Sequence, residues 1–171
     1  MNAKLLVLTL VVLGIGCSKP TAEEMFKNGE NAQKVEQYDE AIAAYQDLIQ
    51  AYPDSVRTPE AYYALGTIYQ NYKNDQHKAL QFYHELVQKY PHHATSSNAA
   101  FVIGFIYNNE LKQFDSARVA YAYFLEHYPN DPLAPSARFE IANLGKDPVA
   151  VLSSQAQQAK DSHAAKKQKK K

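Results

Sequence analysis

The sequence predicts an all-α fold, a superhelix of antiparallel helix pairs, and three observations carry that prediction. The first is an internal repeat: Tyr52-Pro53, Tyr90-Pro91 and Tyr128-Pro129 recur at an interval of 38 residues. Ala41, Ala79 and Ala117 keep the same interval, as do Tyr45, Tyr83 and Tyr121, then Leu48, Leu86 and Phe124. Gly66 and Gly104, Ile68 and Ile106, and Tyr69 and Tyr107 extend the correspondence upstream. A period of this size means stacked units rather than one folded-over core. The second observation is that apolar residues within each unit step by three and four, as on one face of a helix. The third is the proline behind each stripe, which lacks an amide hydrogen and ends the helix before it.

The chain has 171 residues, 46% of them hydrophobic, with 18 basic and 18 acidic side chains and one cysteine. Length and apolar fraction suit one domain with a buried core. One cysteine excludes an intramolecular disulfide framework and a four-cysteine zinc site. The neutral total conceals an asymmetry. Residues 160–171 hold six lysines and one aspartate, so the body is mildly acidic and the tail strongly basic.

Residues 1–16 read as an export signal. Lys4 supplies the positive start, Leu5 to Leu13 form an apolar run interrupted by Thr9, and Gly14-Ile15-Gly16 is a small-x-small cleavage site. The run falls short of the roughly 20 residues needed to span a bilayer. A cysteine directly behind such a site resembles a bacterial lipoprotein signal, which implies that Cys17 becomes the lipidated first residue. Gly14 and Gly16 also suit ordinary signal peptidase, which would leave Cys17 a free thiol. Ser18 resembles the residues that let a lipoprotein travel to the outer membrane. Residues 17–21 then form a polar linker.

The first unit covers about 22–57. Ala41, Tyr45, Leu48, Ile49 and Tyr52 make one stripe, ended by Pro53. The second, about 58–95, opens on Thr58-Pro59, a hydroxyl cap followed by proline at the first helical position. Tyr62, Leu65, Gly66 and Tyr69 form its first stripe and Pro91 ends its second helix. The third runs over about 96–133 on the same plan. These residues resemble the tetratricopeptide repeat, which wants a small residue in the first helix, alanine twelve positions on, an aromatic four later and proline eight after that. Gly29, Ala41, Tyr45 and Pro53 meet this spacing unadjusted. Gly66, Ala79, Tyr83 and Pro91, and then Gly104, Ala117, Tyr121 and Pro129, meet it with one extra residue between the helices. The resemblance implies a right-handed α–α superhelix. Glycine and alanine would let helix backbones approach closely, and the aromatics would fill the wedge between hairpins. Ala134 to Leu144 reads as the first helix of a partial fourth unit (134–159), and Asp147-Pro148 as the start of a solvating cap. Residues 160–171, rich in lysine and alanine without a stripe, read as a disordered tail. That tail is either a solvated end or a contact for anionic headgroups or cell-wall acids; a nucleic-acid role is disfavoured for an exported chain.

The longer unit with Tyr-Pro endings behind a lipidated cysteine resembles the BamD-type outer-membrane assembly lipoproteins and the tetratricopeptide proteins of the Tol-Pal system. The first resemblance implies a scaffold in outer-membrane protein assembly, with envelope proteins as partners and the β-barrel assembly machinery as a candidate among them. The second implies a coordinator of envelope integrity or division. A third reading is an accessory subunit tethering an envelope enzyme.

Catalysis finds no support. There is no phosphate loop, nucleophile elbow or His-Glu-x-x-His motif. His77, His84, His92, His93, His127 and His163 are scattered, and the carboxylates are dispersed, so no metal, cofactor or acid–base pair is expected. Binding is the expectation. In this repeat the first helices line a concave face, which places Glu60, Tyr63, Thr67, Gln70 and Asn71 of the second unit on it. The third unit contributes Asn98, Phe101, Phe105, Asn108 and Asn109, and the first Phe26, Glu30, Gln33 and Lys34. Amides beside aromatics suit a peptide groove, pairing with backbone groups and offering apolar contact at low entropy cost. The basic and asparagine set that clamps a carboxylate terminus in some cytosolic members is not matched.

Overall fold

A computed structural model describes residues 19–147, 149–151, 153, 154 and 157. The leader, Cys17 and the lysine-rich tail lie outside the described residues. Helices α1 (Ala22–Lys34) and α2 (Tyr38–Ala51) form the first hairpin, α3 (Thr58–Asn71) and α4 (Gln76–Lys89) the second. In the third, α5 (Ala94–Phe105) continues as a π-helical turn (Ile106–Glu110) and is followed by α6 (Phe114–His127). A seventh helix, α7 (Ala134–Asn143), packs on α6, and residues 149–151 are helical beyond it. Each helix packs chiefly on its neighbours in sequence, giving an α–α superhelix of the tetratricopeptide kind.

Local chemistry explains the boundaries. Thr21 and Glu24 make a reciprocal capping box at the start of α1, with Glu24 N–H donating to Thr21 Oγ1 (3.2 Å) and Thr21 N–H to Glu24 Oε2 (2.7 Å). The hydroxyl of Thr58 departs from the expected cap. It is buried and donates to the carbonyl of Tyr52 at 2.5 Å, tying α3 back to the end of α2. Ser96 repeats this bond to the Tyr90 carbonyl at 2.6 Å. The bends inside the hairpins share a left-handed residue at the same 38-residue interval: Glu36, Asn74 and Lys112, with φ of 61°, 52° and 55°.

The extra residue of the second and third units sits in these bends. The Gln37 amide reaches the Ala32 carbonyl five residues back, whereas Asp75 and Gln113 reach Tyr69 and Tyr107, six back. The wider loop in the third unit is the π-turn, closed by the Leu111 amide on the Ile106 carbonyl at 3.0 Å.

Two repeated contacts hold the stack. A Cβ built on Gly29 would lie 2.5 Å from a ring carbon of Tyr45; Gly66 stands in the same relation to Tyr83, and Gly104, at 2.6 Å, to Tyr121. These tyrosines therefore seal their own hairpins rather than the wedges between hairpins. The Tyr-Pro motif does the joining. Tyr90 Oη donates to the carbonyl of Pro53 (2.8 Å) and Tyr128 Oη to that of Pro91 (2.9 Å). Tyr52 Oη makes the same bond to Pro20 (2.8 Å), three residues beyond Cys17 in the chain. Arg57 adds a bridge from α3 to α1, its guanidinium 2.6 Å from both Glu23 and Glu60 and stacked 5.1 Å over the Phe26 ring. That contact holds the Glu23 carboxyl below its ordinary range.

Candidate functional site

Helices α3 and α5 touch directly although α4 separates them in the chain, so the first helices of successive hairpins share a face. In the second hairpin three of the five residues predicted for that face, Tyr63, Thr67 and Gln70, gather around Tyr83. The Tyr63 ring lies 5.6 Å from the Tyr83 ring; Tyr83 Oη donates to Gln70 Oε1 at 3.2 Å and lies 3.2 Å from Thr67 Oγ1. Tyr63, Thr67 and Gln70 are half-buried, with their outer edges at the surface. Burial pushes the Tyr83 and Tyr63 phenols up. Glu60 is engaged by Arg57, and Asn71 is exposed.

The first hairpin follows this pattern. Phe26 is buried 5.5 Å from Tyr45, whose hydroxyl donates to Gln33 Oε1 at 3.2 Å. Burial, aided by the charge of Glu30, pushes the Tyr45 phenol up to about 12. Glu30 is half-buried and Lys34 exposed.

The third hairpin is different. Phe101 occupies the place of Tyr63, half-buried with its ring 5.4 Å from Tyr121 and 5.7 Å from Phe124, so it is mainly packing. Phe105 is 38% exposed, and Asn98 is exposed. Asn108 stands where the second unit has Gln70 but is one methylene shorter. It donates to Glu140 Oε2 of α7 at 3.0 Å, and the Tyr121 hydroxyl is left buried with no hydrogen-bond partner among the described residues. Burial, then the Glu140 charge, raises that phenol well above its ordinary range. Asn109 donates to the Phe105 carbonyl at 3.3 Å.

Asn108 and Asn109 open into a cleft of about 610 Å³ between the π-turn and α7, lined also by Lys112, Phe114, Phe139, Glu140 and Asn143. Amides, two carboxylates and two lysines (Asp147 and Lys146 also line it) and two half-open rings on one concavity offer donors, acceptors and apolar surface together, the chemistry of peptide recognition. Sequence reasoning missed Lys112, Phe114, Phe139, Glu140 and Asn143. The available signal was departure from the repeat, since Phe114 stands where the second unit has Gln76. Among the described residues no group of three His, Cys, Asp or Glu side chains is placed to hold a metal. His127 stacks on Tyr123 (3.9 Å between rings), His93 Nδ1 lies 2.9 Å from Thr95 Oγ1, and burial lowers the pKa of His84.

Residues 18–151, which hold the hairpins, the Tyr-Pro joints and the cleft, match the family model of YfiO, described as outer membrane lipoprotein. The chain belongs to the YfiO family. A comparison with curated proteins gives no match. Membership places the protein at the outer membrane, lipid-anchored and facing the periplasm. Among the described residues no helix is long and apolar enough to cross a membrane. The YfiO match starts at the residue after Cys17 and spans every hairpin, so the cleft and the shared first-helix face both lie within it.

Proposed function

We propose that this YfiO-family protein is a non-catalytic scaffold that binds peptide segments of partner envelope proteins and serves outer-membrane protein assembly. In this reading Cys17 carries the lipid anchor, since it is the single cysteine and directly precedes the family match. The observation that carries the binding role is the cleft beside α7. There Asn108 and Asn109 meet the rings of Phe114 and Phe139, with the exposed Phe105 one turn before them in the chain, where the first two hairpins keep this face sealed around tyrosine.

A photo-cross-linking residue placed at Phe105 or Asn109 in intact cells tests it, with Cys17→Ala as the anchor control. Adducts to outer-membrane assembly components that diminish with Cys17→Ala support the reading. Adducts confined to wall-linked proteins would replace assembly with envelope coordination. Absence of adducts at both positions would remove the cleft as the binding face. Asn109→Ala should weaken partner capture several-fold while leaving helical circular dichroism intact, because its side chain bonds only a carbonyl within its own helix.

A further inference from the structure

A second concavity lies on a different face of α5, and its origin is legible by superposing the repeat on itself. Between α2 and α4 the second unit fills the space above α3 with Tyr62 and Phe82, whose ring centroids are 6.4 Å apart. Phe82 also stacks on Tyr69 at 5.5 Å, and the Lys78 ammonium covers that ring at 4.9 Å. In the third unit all three fillers are absent: Ala100 replaces Tyr62, Ala120 replaces Phe82 and Ser116 replaces Lys78. Tyr107, the counterpart of Tyr69, remains on the wall without ring or cation against it among the described residues. What results is a groove of about 560 Å³ between α4 and α6, floored by Ala100 and Ile103 of α5. This volume is within the range of about 300–1,000 Å³ usual for ligand sites. Its outer lip is Val119, 70% exposed, where the second unit has the polar Gln81. At one end stands Asp115, exposed and without an ion pair among the described residues.

We infer that this groove receives an amphipathic helix of a partner protein bearing two aromatic side chains four residues apart and a lysine or arginine one turn away. The guest would supply from outside what Tyr62, Phe82 and Lys78 supply internally one unit earlier. Residues i and i+4 of a helix rise by about 6 Å, which matches the spacing of the two internal rings. The groove follows α6 from Asp115 to Tyr123, a rise of about 12 Å or two helical turns. The guest cation meets the open face of Tyr107 and the unpaired Asp115 carboxylate, which fixes the direction of the helix in the groove. This docking surface is independent of the cleft beside α7.

The test uses the full chain and a labelled, helix-forming synthetic peptide with phenylalanine at i and i+4 and lysine one turn on, followed by fluorescence anisotropy. Ala120→Phe refills the groove with the ring of the second unit. It should reduce affinity at least tenfold while helical circular dichroism and partner cross-linking at Asn109 persist. Val119→Asp, at an exposed position, should do the same, and keeps the test valid should Ala120→Phe disturb folding. Replacing both peptide phenylalanines by alanine should abolish binding. Several results would overturn the inference. They are equal affinity for wild type and both variants, no binding to wild type at millimolar peptide, or equal binding of a proline-interrupted, extended peptide with the same rings. A wild-type dimer that dissociates on Ala120→Phe would also overturn it, by making a second copy the occupant.

Discussion

In the second hairpin Tyr83 is held by Gln70 and Thr67, whereas in the third Tyr121 lies over its glycine with neither, because those places hold Asn108 and Phe105. The same substitution of closure by opening occurs on the far side, where Ala100 and Ala120 stand for Tyr62 and Phe82. Both hairpins keep the skeleton: glycine against tyrosine, and a Tyr-Pro joint to the preceding unit. The difference teaches that the shared skeleton can stay fixed while the positions around it are filled or vacated. The second unit spends them on its own core and the third leaves them to the surface.

The largest expected effect tests the shared skeleton. Tyr45, Tyr83 and Tyr121 are buried, and burial raises all three phenols, Tyr45 to about 12. Below the ordinary tyrosine value of about 10 both folded and unfolded chains keep these groups protonated, and the contribution to stability is complete. Above it the unfolded chain ionises while the buried rings stay neutral. Stability therefore falls as pH rises from about 10 towards 12 and beyond. Helical circular dichroism should be lost in one steep alkaline transition, and a fraction of the 13 tyrosines should ionise only with that loss. Ionisation of all 13 near pH 10 with helicity unchanged would show these three rings to be solvent-accessible.

Removing the ring comes next. Tyr83→Ala and Tyr121→Ala should each cost about 3–5 kcal/mol in denaturant unfolding, the usual range for deleting a buried aromatic. Nearly equal losses would locate the stabilisation in the ring–glycine contact common to both units; a much smaller loss at Tyr121 would mean that the third hairpin has loosened around it. Gly66→Val attacks the same contact from the other side. Its Cβ would stand 2.5 Å from the Tyr83 ring, so the ring or the helices must shift, at a cost of about 1–3 kcal/mol. Gly104→Val should behave alike, since Tyr121 closes on it as tightly.

What was legible beforehand is the part that repeats. The 38-residue interval, the stripes and the prolines announce helix pairs because each unit must place the same apolar residues against its neighbours. The added residue in the later units could be counted, but whether it forms a loop or a π-turn depends on how the bend meets the next helix. The sequence shows the Thr58 hydroxyl only as a hydroxyl beside a helix start, the pattern of a cap. Its bond to the Tyr52 carbonyl needs the folded chain turn that brings residue 52 over it. The repeat offset assigns the face residues to α3 and α5, but the inward task of Gln70 is not visible in it. It depends on a side-chain length that just reaches a hydroxyl thirteen residues on. For the same reason Phe139 and Glu140 escaped notice, since they matter only because α7 folds back beside the π-turn.

The smallest effect is the sharpest test of the contrast, because it removes one oxygen from each unit. Tyr83→Phe deletes a hydroxyl that is bonded to Gln70 and neighbours Thr67, leaving Gln70 Oε1 to find water at the half-buried edge. A net loss of about 1 kcal/mol is expected. Tyr121→Phe deletes a buried hydroxyl that has no partner among the described residues, so its desolvation cost disappears and stability should stay level or rise by about 1 kcal/mol. The sign, rather than the size, carries the information, and urea unfolding of the two variants side by side reads it. Asn108→Gln then serves as the cross-check. Restoring the longer amide offers Tyr121 the partner that Tyr83 has, while withdrawing the Asn108 bond to Glu140. If Tyr121→Phe gains stability in the native background but loses it in Asn108→Gln, the missing methylene is what opens the third unit. Equal losses from both tyrosine variants in the native background would show Tyr121 to be satisfied by bound water, and the two hairpins to be alike in this respect.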